Sequence, residues 1–481
     1  MTGVWLAGSI EYPAARKDIR VSSLEKVQLP DFGGQSDDFP VISVEEYRRR
    51  IDAAVERMKQ AGLDFLAVYG DREHFANLAF LTGFDPRFEE ALLLLDRSGG
   101  RLLIVGNECM GYLPDPAIGC QVELFQDFSL MGQPRDRSRP LRAILSAFGI
   151  GRGAKVGCVG WKYYQPTLVD GGDVASDLPG YLIDLLRELA GNRQAVRNTT
   201  AIFVNPDDGL RTINSADQIA MMEFAAVHTS LAVKASVESI RPGLRECDLP
   251  MHATASGLPY SCHAMVSFGD KVRRGLSSPT QRRGCLGDAF ALALGIWGSL
   301  TCRAGMVAAG PKDLSGDLKD FYPRFAGNYF DVAVAWYEKV KLGASAGEVY
   351  AAAHAVRDAS LMDFAVNPGH LIGLDEWLHS PFQAGSTCRL RSGMAVQMDI
   401  IPVSKGPFCY SNVEDGIVLA DQKLQNEIAQ HHPRCWKRVR ARRDFMTGTL
   451  GIALDPSVLP LSNTPAWLCP YAMDPANAFV K

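Results

Sequence analysis

Three apolar fragments in the C-terminal half of the chain constrain its fold most strongly. They are GDAFALALGIWGSLTCRAG at 287–305, GHLIGLDEWLHSPF at 369–382 and GMAVQMDIIP at 393–402, the last followed by NVED at 412–415. Each is an apolar run interrupted by polar groups, which is typical of strands whose ends or inward faces line a pocket. We therefore expect His370, Asp399 and Glu414 to face one cavity.

Composition limits the class of protein. The chain has 481 residues, of which 47% are hydrophobic and 22% charged, and this predicts a well-packed protein of two domains or more. A net charge of −4 gives no reason to expect nucleic acid as a partner. No apolar run reaches the roughly 18 residues of a membrane span, and the N-terminus lacks a secretory pattern, so we predict a cytoplasmic protein. The 11 cysteines include no CxxC pair, which argues against a disulfide framework and a zinc knuckle.

The three fragments resemble the C-terminal half of the pita-bread fold of creatinase, aminopeptidase P, prolidase and methionine aminopeptidase. The resemblance covers roughly residues 45–420. It implies a two-domain α/β protein. A creatinase-like N-terminal α/β domain would precede a pita-bread α+β domain with a curved, mainly antiparallel sheet. By the same resemblance, the protein would be a homodimer.

Local signals suggest where the domains begin and end. Residues 1–42 are predicted to be an N-terminal arm, 43–210 the first domain, 211–450 the pita-bread domain and 451–481 a docked C-terminal tail. Ser43 and Glu46 form a capping pair for the first helix, which Gly62 ends. Further helices are predicted from Ser215 onward, over Asp320–Lys341 and over Ala346–Ala365.

The resemblance also implies five metal ligands, and this chain departs from that set. The first aspartate falls on Ala293 and the second on about Leu300, neither of which can hold a cation. His370 is present, the first glutamate is shortened to Asp399, and the last survives as Glu414. Two close divalent ions need several carboxylates, so a dinuclear site should be lost. We predict no metal and no other cofactor, and a mononuclear site from the three remaining residues is the alternative.

The candidate catalytic residues are His370, His379, Asp399 and Glu414. Either histidine could act as the base. Two carboxylates buried together raise the pKa of one of them, so the pair could serve as acid and base or could hold a cationic group. Glu376 and Trp377 share a loop with His379 and could contact substrate, and the alternative is a loop organised by packing of Trp377 with its charges exposed.

Three further residues are candidates for substrate binding. His263 could supply an imidazole from a neighbouring strand, or could be a core histidine bonded to backbone. Cys302 could be a thiolate nucleophile or a buried packing residue. Arg303 could hold a substrate carboxylate, or Glu414, through two hydrogen bonds.

These residues lead to one predicted function and two alternatives. The prediction is a metal-independent, creatinase-like hydrolase that cleaves a C–N bond, amide or guanidino, of a small polar metabolite. One alternative is a non-catalytic pita-bread protein that binds a peptide or small molecule. The other is a small-molecule lyase. The predicted partners are a small-molecule substrate and a second copy of the chain, with no nucleic acid and no membrane.

Overall fold

The computed structural model describes residues 22–250, 257–275 and 277–481. The chain divides into two compact units. Unit 1 comprises Met1–Phe39, Ile219–Ile372 and Ser380–Lys481, and unit 2 comprises Pro40–Gln218 and Gly373–His379. The chain passes from unit 2 to unit 1 between Gln218 and Ile219, and seven residues of the 369–382 fragment, Gly373–His379, belong to unit 2.

The described residues form the following strands and helices. The strands are β1 Ser23–Lys26, β2 Phe65–Gly70, β3 Ala91–Asp96, β4 Arg101–Val105, β5 Gln121–Leu124, β6 Val156–Val159, β7 Val196–Asn198, β8 Tyr260–Phe268, β9 Ala289–Ile296, β10 Ser299–Met306, β11 Met362–Phe364, β12 His370–Leu371, β13 Ala395–Met398, β14 Pro402–Ser404, β15 Asn412–Leu419, β16 Val458–Pro460 and β17 Asn477–Val480. The helices are α1 Val44–Gln60, α2 Ala76–Thr82, α3 Leu141–Ala147, α4 Gly180–Ala190, α5 Ala201–Val204, α6 Ala216–Ser239, α7 Gly327–Lys339, α8 Ala346–Val356, α9 Gln422–His431 and α10 Pro433–Asp444.

Unit 2 is built on a six-stranded sheet in the order β5-β4-β3-β2-β6-β7. The pairs β2–β3 and β3–β4 are antiparallel, and the other three pairs are parallel. Apolar residues of β2, β3 and β4 pack against α3 and α4 in one buried cluster. Helix α1 begins as its sequence predicts, because the Ser43 hydroxyl accepts a hydrogen bond from the Glu46 backbone N–H at 3.2 Å.

Unit 1 contains a seven-stranded sheet in the order β12-β13-β15-β10-β9-β8, with β16 also paired to β15. Its strand pairs are antiparallel. Across it, Ala293 is opposite Cys302, and Cys302 is opposite Glu414. Two residues after Glu414, Gly416 is opposite Gln397, which in turn is opposite His370. Since side chains alternate between faces of a sheet, this register places all these positions on one face.

The helices predicted between residues 320 and 365 need correction. The first is an α-helix only from Gly327 to Lys339, and a π-helical turn precedes it at Phe321–Ala326. The second ends at Val356 rather than at Ala365. A turn follows in which the Asp358 carboxylate accepts from the backbone N–H of Ser360 at 2.8 Å. Strand β11 then pairs with β14.

The two ends of the described chain meet in unit 1. Strand β1 pairs antiparallel with β17, with Ser23 opposite Val480 and Lys26 opposite Asn477. The apolar C-terminal tail is buried as predicted, because Trp467, Tyr471 and Phe479 are each 2% exposed or less. Of the predicted N-terminal arm, residues 1–21 lie outside the described residues. In the described part of the chain, no helix has the length and apolar character needed to cross a membrane.

Candidate active site

His370, Asp399 and Glu414 converge on one face of the unit 1 sheet. One ligand-type atom from each side chain lies within 4.8 Å of the other two. His370 is in β12, Asp399 directly follows β13, and Glu414 is in β15. His370 is 0% exposed, whereas Asp399 and Glu414 keep 4% and 5% of their surface exposed. All three side chains are therefore buried.

One ring nitrogen of His370 contacts the backbone. Nδ1 lies 3.2 Å from the backbone carbonyl oxygen of Leu371. Because a carbonyl oxygen can only accept, this contact favours the tautomer in which Nδ1 carries the hydrogen and Nε2 carries the lone pair. Nε2 lies 3.9 Å from Oδ2 of Asp399. The ring is thus arranged to accept a proton at Nε2 beside a carboxylate that would stabilise the resulting charge.

Gln397 completes the cluster, and sequence reasoning missed it. Its Nε2 donates to Oε1 of Glu414 at 3.1 Å and to the backbone carbonyl of Leu300 at 2.6 Å. These two acceptors determine the orientation of the amide, and the side chain is 0% exposed. A signal was available, because Gln397 is a polar residue in an apolar strand two positions before Asp399 and so shares its face.

The positions where the family resemblance expects two aspartates form an apolar wall. Ala293, Leu300 and Cys302 make one buried cluster, against which Cys262 and Met265 pack. Methyl and isobutyl groups offer no ligand atom, so a dinuclear metal set does not fit this site. Within the described ranges, His370, Asp399 and Glu414 together could hold a single ion.

Cys302 lies inside this wall as a neutral thiol. Burial raises its pKa well above the ordinary value, and the nearby carboxylates of Glu414 and Asp399 raise it further. The thiolate alternative is therefore disfavoured, since a nucleophilic cysteine needs a lowered pKa. The pKa values of Tyr329 and Tyr410 are likewise raised well above 10.0, chiefly by burial and in part by Asp399. Neutral groups thus surround the carboxylates on this side.

Arg303 does not have the substrate-anchoring position that the sequence suggested. It is on the face opposite Cys302, buried to 1% exposure, and all its N–H groups are directed at protein acceptors. These acceptors are the backbone carbonyls of Trp467, Cys302, Glu414 and Thr464, the Thr464 hydroxyl and the Asp415 carboxylate. A guanidinium with its donors committed in this way has none left for a substrate. Its role is structural, and its contact with Glu414 is through the backbone.

The remaining candidates lie elsewhere in the fold. Glu376, Trp377 and His379 belong to unit 2, where Nε2 of His379 lies 2.9 Å from the hydroxyl of Tyr163. Trp377 is 39% exposed. The same loop is held by Asp375, which receives hydrogen bonds from the buried Arg211. His263 is an exposed residue of β8, next to Cys262 of the apolar wall. His263 is therefore not the core histidine that the sequence left as an alternative.

Comparisons with known proteins agree with this fold. No protein-family model and no curated protein matches the sequence. Among solved structures, the prolidase of Pyrococcus horikoshii OT3 matches with a TM-score of 0.59 and 16% identity, covering 77% of this chain and 95% of that one. A dipeptidase of Mycobacterium ulcerans matches with a TM-score of 0.57 and 20% identity, covering 79% and 94%. The Xaa-Pro dipeptidase of Bacillus anthracis gives 0.57 and 17%, covering 79% and 96%.

These matches cover nearly the whole length of each solved structure. The chain therefore has the two-domain pita-bread fold, and the resemblance drawn from its three fragments is confirmed. At these identities the likeness concerns the fold, and the activity has to be argued from the residues of the site.

Proposed function

We propose that this protein is a metal-independent hydrolase that cleaves a C–N bond, amide or guanidino, of a small polar metabolite. The observation that carries the proposal is the placement of His370, whose Nδ1 lies 3.2 Å from the Leu371 carbonyl and whose Nε2 lies 3.9 Å from Oδ2 of the buried Asp399. A neutral imidazole placed in this way can accept a proton from water. The neighbouring carboxylates can stabilise the imidazolium that forms.

Hydrolysis of a C–N bond requires only water and the side chains of His370, Asp399 and Glu414. His370 removes a proton from water as the water oxygen bonds to the amide or amidino carbon. The tetrahedral intermediate then breaks its C–N bond, and the leaving nitrogen takes a proton from the imidazolium or from a protonated carboxyl of Asp399 or Glu414. Two buried carboxylates this close favour one shared proton, which makes such a donor available. The products are an amine and a carboxylate or urea.

Independence from metal is supported by the apolar wall. Ala293 and Leu300 lack ligand atoms, and Gln397 already donates a hydrogen bond to Glu414. The contributions of His263, Glu376, Trp377 and His379 to substrate binding stay predictions. So do the homodimer and the cytoplasmic location.

The test is turnover by chelator-treated protein on amide, guanidino and N-acyl compounds. We expect hydrolysis that persists without metal and that falls by about 100-fold or more in His370→Ala, as for loss of a general base. His431→Ala, an exposed histidine at the end of α9, is the matched control and should keep full activity. Ligand binding without any turnover would contradict the proposal and favour a non-catalytic protein. Elimination products formed without incorporation of water would favour a lyase.

A further inference from the structure

A cavity of about 650 Å³ lies in unit 1, between the segment that follows β1 and the helix α10. Pro30, Asp31 and Phe32 line one wall, and α10 with the turn that follows it lines the other. Small-molecule sites in proteins have volumes of roughly 300–1,000 Å³. The described residues that line this cavity include no member of the candidate active site.

The wall formed by residues 30–32 is held against α10 by its neighbours. The carboxylate of Asp37 accepts a hydrogen bond from Nη1 of Arg438 at 2.5 Å. Phe32 meets Phe445 edge to face, with the ring centroids 6.1 Å apart. Both walls of the cavity are therefore fixed by contacts within unit 1.

The face of α10 that lines the cavity changes its charge along the helix axis. The cations Arg434, Lys437 and Arg438 lie toward the N-terminal end. Ala441 follows in the middle, and Asp444 is the last residue of the helix. Between Lys437 and Asp444 the helix makes about two turns and rises about 10 Å. The cavity is thus lined by cations toward one end of the helix and by a carboxylate at the other.

The three cations differ in how firmly the protein holds them. Arg438 donates to both carboxylate oxygens of Glu223, at 2.8 and 2.7 Å, in addition to its bond with Asp37. Arg434 lies 3.4 Å from Asp37, but 76% of its side chain is exposed, and Lys437 is exposed as well. Arg434 and Lys437 can therefore turn toward an anionic group in the cavity, whereas Arg438 is part of its wall.

The lining does not match a ligand of a single charge sign. A simple anion would meet the carboxylates of Asp31 and Asp444. A simple cation would meet Arg434 and Lys437. The ring of Phe32 adds apolar surface to the same cavity. The matching ligand has an anionic end, an apolar middle and a cationic end.

We propose that this cavity binds a short peptide with free termini and an apolar side chain, with its carboxylate at Lys437 and its ammonium group at Asp444. An extended chain spans at most about 3.3–3.6 Å per residue, so three residues cover about 10 Å. This length equals the rise of α10 between the two charged residues. A tripeptide with an apolar central residue is therefore the ligand of matching length.

The test is ligand-observed NMR with the tripeptide Gly-Phe-Gly and the full-length protein. We expect binding with a dissociation constant on the order of 1 mM. Peptides with an acetylated amine or an amidated carboxylate should each bind about threefold more weakly, because each loses one partly exposed ion pair. No binding up to about 10 mM peptide, or equal affinity for the free and the blocked peptides, overturns the proposal.

Two substitutions assign the two ends of the peptide. Lys437→Met should bind Gly-Phe-Gly about threefold more weakly than the wild type does and should bind its amide equally well. Asp444→Asn should show the same loss for Gly-Phe-Gly and none for the acetylated peptide. Lys312→Met and Asp317→Asn, at exposed residues outside the cavity, are the matched controls and should leave every affinity unchanged. Unchanged affinity for Gly-Phe-Gly in Lys437→Met and Asp444→Asn overturns the proposal.

His370→Ala separates this cavity from the candidate active site. The variant lacks the proposed base, so the peptide stays intact during the measurement. It should bind Gly-Phe-Gly as tightly as the wild type does, because His370 does not line the cavity. Loss of binding in His370→Ala would place the peptide at the candidate active site and overturn the proposal.

Discussion

Arg303 and Asp415 form an ion pair of 2.8 Å in which each side chain is 2% exposed. Their sequence neighbours Cys302 and Glu414 lie opposite one another on the other face of β10 and β15. The ion pair therefore holds, from behind the sheet, the two strands that carry the site. Arg303 strengthens this by donating to the backbone carbonyl of Glu414 at 3.1 Å.

Replacing Arg303 by methionine should destabilise the protein by about 3–5 kcal/mol, because Asp415 would be left as a buried charge without its partner. Burial already raises the pKa of Asp415. Urea unfolding of the wild type and of Arg303→Met measures the difference. The double variant Arg303→Met, Asp415→Leu removes both charges and should recover part of the loss. Equal stability of Arg303→Met and wild type would show that the ion pair contributes little.

Replacing Ala293 by aspartate should lower the free energy of unfolding by about 2–4 kcal/mol in metal-free buffer, because a carboxylate would be buried on the sheet face that carries Glu414. Divalent cations should recover part of this loss, since they would neutralise the added charge. Thermal melting with and without Mn²⁺ measures both effects. Ala293→Asn, which is similar in size and uncharged, is the control and should show no recovery. A destabilisation that is the same for both variants would rule out charge as its cause.

Cys302 should be dispensable for activity, because its raised pKa keeps it a thiol inside the apolar wall. Cys302→Ala should cost about 1 kcal/mol of stability from lost packing and leave turnover within about twofold. At neutral pH, iodoacetamide should modify the exposed Cys247 and Cys285 well before Cys302, as mass spectrometry of peptides would show. A large loss of turnover in Cys302→Ala would restore the nucleophile interpretation.

His354 should make stability depend on pH. Burial lowers its pKa to about 4, and the nearby charge of Arg357 adds to the effect. The unfolded chain takes up this proton near pH 6.5, whereas the folded protein resists it until about pH 4. The contribution to stability is therefore complete above pH 6.5 and is lost as the pH falls toward 4.

The measurement for His354 is the difference in melting temperature between wild type and His354→Gln across this interval. The carboxylates titrate in both proteins, so they largely cancel in the difference. We expect the wild type to lose more stability than the variant between pH 6.5 and pH 4. Parallel curves would show that His354 is protonated equally easily in the folded and unfolded states.

Sequence predicted well those parts of the fold that depend on neighbouring residues. The Ser43 cap of α1 is observed where the local pattern places it. The helix predicted to reach Ala365 stops at Val356, because a turn follows in which the Asp358 carboxylate accepts a hydrogen bond from the Ser360 N–H. Asp358 and Ser360 are turn-forming residues, so the sequence carries a signal for this stop.

The residues of the site that were predicted also lie in locally recognisable sequence. His370, Asp399 and Glu414 come from three recognisable fragments, and the structure groups them. His379 lies only nine positions after His370 in the 369–382 fragment, yet it bonds to Tyr163 of unit 2. A partner that distant in sequence leaves no local signal. Gln397 was not among the predicted site residues, because a neutral amide within an apolar strand carries no charge that marks it as functional.

The pairing of β1 with β17 has a consequence for how the chain is made. β1 is synthesised before Pro40–Gln218 of unit 2 and β17 after it, so β1 has no partner strand until β17 has been made. Most of unit 2, Pro40–Gln218, emerges early and can begin to fold while translation continues. Unit 1 can complete its β1–β17 pair only after β17 has been synthesised.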